Sequence, residues 1–161
     1  MFDLPTLGAG TRIISATVRW PYSSGIPNPG GLMGFETVGL FALTTPVATL
    51  VAGGTGLTGI YDDLGDGLLL GQGDVFPFRS GDHFAAFNAD GLAALGATSG
   101  TFAFGGALLT LNPAVSAEYV FGGTGGVRFT PQLILETQDV PAPAALALFG
   151  LGILGLAGRR R

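Results

Sequence analysis

Short apolar runs punctuated by glycine and proline occupy most of the chain, and their spacing predicts many short strands joined by tight turns. Thr11 to Trp20 has β-branched composition and partial alternation, the signature of a half-buried strand. Pro21 to Gly31, with three prolines and three glycines, reads as loop. Phe35 to Leu43 and Pro46 to Ala52 read as two further strands, followed by a turn at Gly53 to Gly56. Leu57 to Tyr61 then leads into the acidic turn Asp62 to Gly67, and Leu68 to Leu70 resumes extended structure.

The stretch Asp82 to Thr98 breaks the pattern. Asn88 is placed to N-cap a short helix, Asp90 favours the positive end of its dipole, and Gly96 is placed to stop it. Beyond it, Thr101 to Phe104, Ala107 to Leu111, Ala117 to Phe121 and Val127 to Leu135 are strand candidates. In the last of these Phe129, Pro131, Leu133 and Leu135 alternate with their neighbours. About eight strands and one small helix predict a mainly β body over residues 1–139, a β-sandwich or jelly-roll-like domain.

After Asp139 the pattern changes again. Val140-Pro141-Ala142-Pro143 is a short stiff linker, because two prolines bar helix and sheet alike. Ala144 to Gly158 is an uncharged run of fifteen residues ending at Arg159, Arg160 and Arg161. As a helix it spans roughly 22 Å, against a bilayer core of about 30 Å. Counted from Val140, the uncharged stretch reaches nineteen residues. It is apolar on every face, whereas a helix packed on one sheet carries a polar stripe. Residues 144–158 are therefore expected to form a transmembrane helix, with the terminal arginines as a stop on the cytoplasmic side and the body outside.

Val140-Pro141-Ala142-Pro143, the Leu/Gly-rich span and the terminal arginines, in that order at the C-terminus, resemble a PEP-CTERM sorting signal. Ala142 stands where the motif's name has Glu. The resemblance implies bacterial export, temporary holding in the inner membrane by residues 140–161, and cleavage by an exosortase, a membrane cysteine transpeptidase-like protease. The product then reaches the cell surface or an exopolysaccharide matrix. The chain is the substrate of that chemistry, so the resemblance implies no catalytic residue within it. Tyr61 to Gly67, Phe87 to Leu95 and Gly100 to Gly106 also resemble, more loosely, segments of the β-rich bodies found on such proteins.

Composition narrows the alternatives. Charged residues make up only 11% of the chain, against roughly 25% in ordinary soluble domains. Lys is absent, and setting aside the three terminal arginines leaves four Arg against eleven acids. A body so acidic has no basic patch with which to neutralise phosphates, which argues against nucleic-acid binding. The absence of Cys excludes disulfides, thiolate-ligated zinc and thiol catalysis. Met1-Phe2-Asp3-Leu4 has neither the basic start nor the apolar run of a secretory signal, so the natural N-terminus is expected to lie upstream.

Little remains as candidate chemistry. Asp62, Asp63 and Asp66 are the densest acidic cluster, but they lack EF-hand spacing and read as a turn. His83, the single histidine, reads as a surface residue in the loop Arg79 to His83; its neighbours Ser80 and Asp82 are too close in sequence to form a triad with it. The glycine clusters at Gly53 and Gly122 lack the Lys of a phosphate loop. Trp20 and Tyr22, with Tyr61, could stack on sugar rings, although a Trp at a strand end more often packs the core rim. A non-enzymatic exported body without a cofactor is the expectation, with a carbohydrate-binding module as the alternative and a hydrolase as a weaker one.

Overall fold

The structure, a computed structural model, describes residues 1–22, 36–55, 58–75, 81–110 and 130–140. In chain order these form β1 (Phe2–Asp3), β2 (Thr11–Tyr22), β3 (Glu36–Ala42), α1 (Val47–Ala52), α2 (Thr58–Asp63), β4 (Leu69–Val75), β5 (Gly81–Phe87), α3 (Ala89–Ala97), β6 (Thr101–Phe102), β7 (Phe104–Leu108) and β8 (Gln132–Asp139). The body is mainly β, as the alternation predicts. Among the described residues it carries three helices where the sequence predicts one.

Six strands form one sheet in the order β7-β3-β4-β5-β2-β8, with every neighbouring pair antiparallel. β1 and β6 make a separate two-stranded ribbon. The ribbon and α3 cover one face of the large sheet, so among the described residues its partner layer is a helix and a ribbon rather than a second sheet of equal size. The sheet bends strongly. Val18 and Trp20 of β2 line one cavity with Leu40 of β3, although β4 and β5 lie between those strands in the sheet.

Two glycines permit that bend. A Cβ on Gly73 would strike the Phe84 carbonyl oxygen, and one on Gly71 would strike that of Ala86. Only the bare backbone of β4 can approach β5 so closely. These glycines lie inside a strand, where the sequence pattern assigned glycine to turns.

β2 organises the core. Ala16, Val18 and Trp20 face inward beside Ala85 and Phe87 of β5, Val38 and Leu40 of β3, and Leu70 and Val75 of β4. A register shift between Ile13 and Ser15 leaves one residue of β2 unmatched against β8. This bulge turns Ile13 toward the core and leaves Ile14 exposed, which accounts for the imperfect alternation. The strand also continues past Trp20 through Pro21 to Tyr22, where the sequence predicts loop. There Pro21 and Tyr22 lie opposite Asp82 and Gly81 of β5, while pairing with β8 has ended at Arg19.

The predicted helix is present and its cap is the predicted one. The Asn88 side chain accepts from the Gly91 N–H at 2.9 Å, and its amide donates to the Leu69 carbonyl at 2.8 Å, tying the helix start to β4. The helix runs past Gly96 to Ala97, and Leu95 is fully buried. Phe87, Phe102 and Phe104 meet edge-on or tilted at centroid distances of 5.7–6.1 Å, while Phe2 stacks on Phe104 at 5.9 Å. Such pairs add about 0.5–1.5 kcal/mol each beyond the area they bury.

Pro46 to Ala52, predicted as a strand, forms α1 instead. β3 and β4 pair directly with each other, so the segment between them has no strand to join. Pro46, at φ −57°, starts a helix there and its carbonyl accepts from the Thr49 and Leu50 N–H groups. Thr58–Asp63 likewise forms α2, so Asp62 and Asp63 end a helix rather than open a turn. At the other end of the body β8 starts later than predicted and runs on to Asp139, because Thr11, Arg12 and Ile13 pair with its last residues. The candidate strand Ala117 to Phe121 and the predicted span 144–158 lie outside the described residues; among those described, no helix is long and apolar enough to cross a membrane.

Gly91 sits where α3 crosses β4, and a Cβ there would strike the Leu70 carbonyl oxygen and the Phe87 ring. Gly91→Ala should therefore destabilise the body by about 1–3 kcal/mol through overpacking, despite the roughly 1 kcal/mol by which Ala improves helix propensity. Urea unfolding of the full chain in detergent, followed by far-UV circular dichroism, checks the sign.

Candidate functional site

The tail leaves the body at one corner of the sheet, where the last residues of β8 lie against the first of β2. Asp139 pairs with Thr11, and the Thr11 hydroxyl donates to the Asp139 carboxylate at 2.9 Å. One rung away the Arg12 guanidinium donates to the Gln138 side-chain carbonyl at 3.0 Å. The Val140 N–H then donates to the Gly10 carbonyl at 2.6 Å. Gly10 has a φ of +83°, a left-handed conformation that turns the chain into β2 and that residues with a Cβ rarely adopt. The first residue of the predicted sorting signal is thus hydrogen-bonded to the fold. Pro141, Ala142, Pro143, Arg159, Arg160 and Arg161 lie outside the described residues.

The acidic cluster separates into unlike roles. Asp63 is buried at the end of α2, and its carboxylate accepts from the Thr44 N–H at 2.9 Å, the Thr44 hydroxyl at 2.7 Å and the Thr45 N–H at 2.8 Å. The hydroxyl and backbone donors of Thr45 and Thr44 hold the carboxyl well below the usual carboxylate range, with partial burial opposing them. Asp62 and Asp66 point to solvent. Asp63 is a latch closing the excursion between β3 and β4. Composition carried no signal for it, because its partners lie eighteen and nineteen residues upstream.

His83 is not in a surface loop. It lies within β5, is 5% exposed, and pairs with Trp20 of β2, the ring centroids 6.1 Å apart. Period-two alternation sends His83, Ala85 and Phe87 inward and Asp82 outward, where Asp82 meets Arg19 at 2.6 Å. Burial pushes the imidazole below its ordinary value, and the Asp82 charge opposes this more weakly. Trp20 is 2% exposed and belongs to the core, so it offers no face for a sugar ring. Tyr61, at 77% exposed, stands on α2 at the opposite end of the strands from Trp20. The two rings do not converge.

Two pH dependences follow. A carboxylate held below its ordinary value stabilises the fold above the unfolded-state value, about pH 4, and loses that contribution as pH falls toward the folded-state value. Asp63→Asn should therefore be less stable near neutrality and should flatten the acid limb of a melting-temperature profile below about pH 4. A histidine kept neutral by burial takes up a proton on unfolding once pH drops below about 6.5. His83→Leu should remove the part of the stability loss that wild type shows between about pH 7 and 5.

Residues 139–161 match the PEP-CTERM protein-sorting motif. The match begins at the last residue of β8 and covers the tail alone. No curated protein and no solved structure matches the chain.

Proposed function

The chain ends in a PEP-CTERM sorting motif, a signal of exported, membrane-associated surface proteins that exosortases process, and from that premise we propose that the β body is a non-catalytic passenger delivered to the cell surface or the exopolysaccharide matrix. Residues 144–158 hold it in the inner membrane as a helix until an exosortase cuts near Val140-Pro141-Ala142-Pro143. The observation that carries this reading is the abutment of motif and fold. β8 ends at Asp139, and the motif begins there with no intervening spacer.

Asp63 and His83, two of the side chains that suggest catalysis, have structural roles. The Asp63 carboxylate is taken up by Thr44 and Thr45, while Asp82 and His83 face opposite sides of the sheet. That supports a passenger over a hydrolase. The carbohydrate-binding alternative loses Trp20 to the core and keeps Tyr61, which is exposed.

The test is expression of the full gene in hosts with and without an exosortase, followed by the C-terminal mass of the recovered protein. Loss of Arg159, Arg160 and Arg161 in the first host only is the expected result. A chain intact through Arg161 in both hosts defeats the sorting proposal, and replacing Pro141 and Pro143 by Ala should reduce the processed fraction.

A further inference from the structure

The connection from β3 to β4 is twenty-six residues long, although these strands are direct antiparallel neighbours. Hairpin loops ordinarily need about 2–5 residues, and much longer ones usually have a task of their own. This one is unusual in composition too. From Thr37 to Tyr61 the sequence has no charged residue. α1, Val-Ala-Thr-Leu-Val-Ala, buries none of its side chains, and Val51 is 67% exposed. Tyr61 at 77% and Leu68 at 60% are further exposed large side chains of the same excursion. A helix this apolar, with Val47 and Leu50 only half-buried and Val51 open to water, is a surface in want of a partner.

The topology indicates which partner. In the antiparallel sheet, β3 ends and β4 begins at the same end as β2 begins and β8 ends. The excursion and the tail exit therefore share one pole of the body. From Val140, three residues, about 10 Å of extended chain, lead to the fifteen-residue apolar run that ends in three arginines. We infer that this pole, through Val51, Tyr61 and Leu68, rests in the interfacial layer of the bilayer that holds the tail. The inference rests on the membrane-held reading and adds a contact to it.

The chemistry specifies the lipid. Exposed aliphatic side chains with a tyrosine suit the boundary between headgroups and acyl chains. The exposed acids Asp62, Asp66, Asp90 and Asp139 stand at the same end, with Arg12 as the cation there among the described residues. Contact is therefore apolar, and anionic headgroups oppose it.

The absence of native cysteine makes the test direct. Full-length Val51→Cys, Tyr61→Cys and, at the opposite pole, Asp74→Cys are each labelled with an environment-sensitive fluorophore. They are reconstituted into phosphatidylcholine–phosphatidylethanolamine vesicles carrying a nitroxide-labelled lipid. Positions 51 and 61 should be quenched several-fold more than position 74, and adding phosphatidylglycerol should narrow the difference. If the protein floats with the vesicles but the three positions are quenched alike, the docking inference fails and anchoring stands. If it does not float, both fail. Shielding of position 51 in detergent, without vesicles, would identify a second copy as the partner and would also overturn the inference.

Discussion

The pairing of β2 with β8 is the constraint on which the rest depends. It joins the eleventh residue to the 139th, and β2 simultaneously pairs with β5 and contributes Ala16, Val18 and Trp20 to the core. Without β8, β2 becomes an edge, Leu133 and Leu135 leave the core, and the corner holding Val140 ceases to exist. Contacts so distant in sequence close large loops before they are rewarded, so the sheet must be cooperative to form at all. The sorting signal inherits its position from that cooperation.

Around this pairing the body solves an awkward composition problem. With few charges and abundant glycine, it cannot rely on ion pairs, and Arg19 with Asp82 is a half-exposed pair of the kind that contributes about 0–1 kcal/mol. It relies on close backbone approach at Gly71 and Gly73, an aromatic cluster where α3 meets the ribbon, and one fully used carboxylate at Asp63. Each device acts at one place, and the core lies between the sheet on one side and α3 with the ribbon on the other.

Element type was legible wherever period and cap agreed. The strand from Thr11, the helix capped by Asn88 and the terminal signal were all readable, because each depends on neighbours in sequence. Where partners are distant, the reading went astray. Val47, Thr49 and Val51 alternate like a strand, and only the direct pairing of β3 with β4 denies them a ladder. His83 sits among polar residues and reads as exposed until β2 supplies Trp20 opposite it. Asp63 resembles its neighbours Asp62 and Asp66 until Thr44 and Thr45 arrive from eighteen and nineteen residues away. Gly73 carries no sign in the sequence of the close approach of β5 that excludes a side chain there.

The seam between Asp139 and Val140 also bears on timing. A chain threaded through an export channel from its N-terminal side delivers β2 early and leaves it waiting for its outer neighbour. β8 and the apolar run that follows are contiguous, so they arrive almost together. Under the proposed export, the sheet would gain its final strand about when the channel meets that apolar run. On that proposal, completion of the fold and the halt in translocation would be nearly simultaneous, and a lengthened spacer at Val140 would separate them.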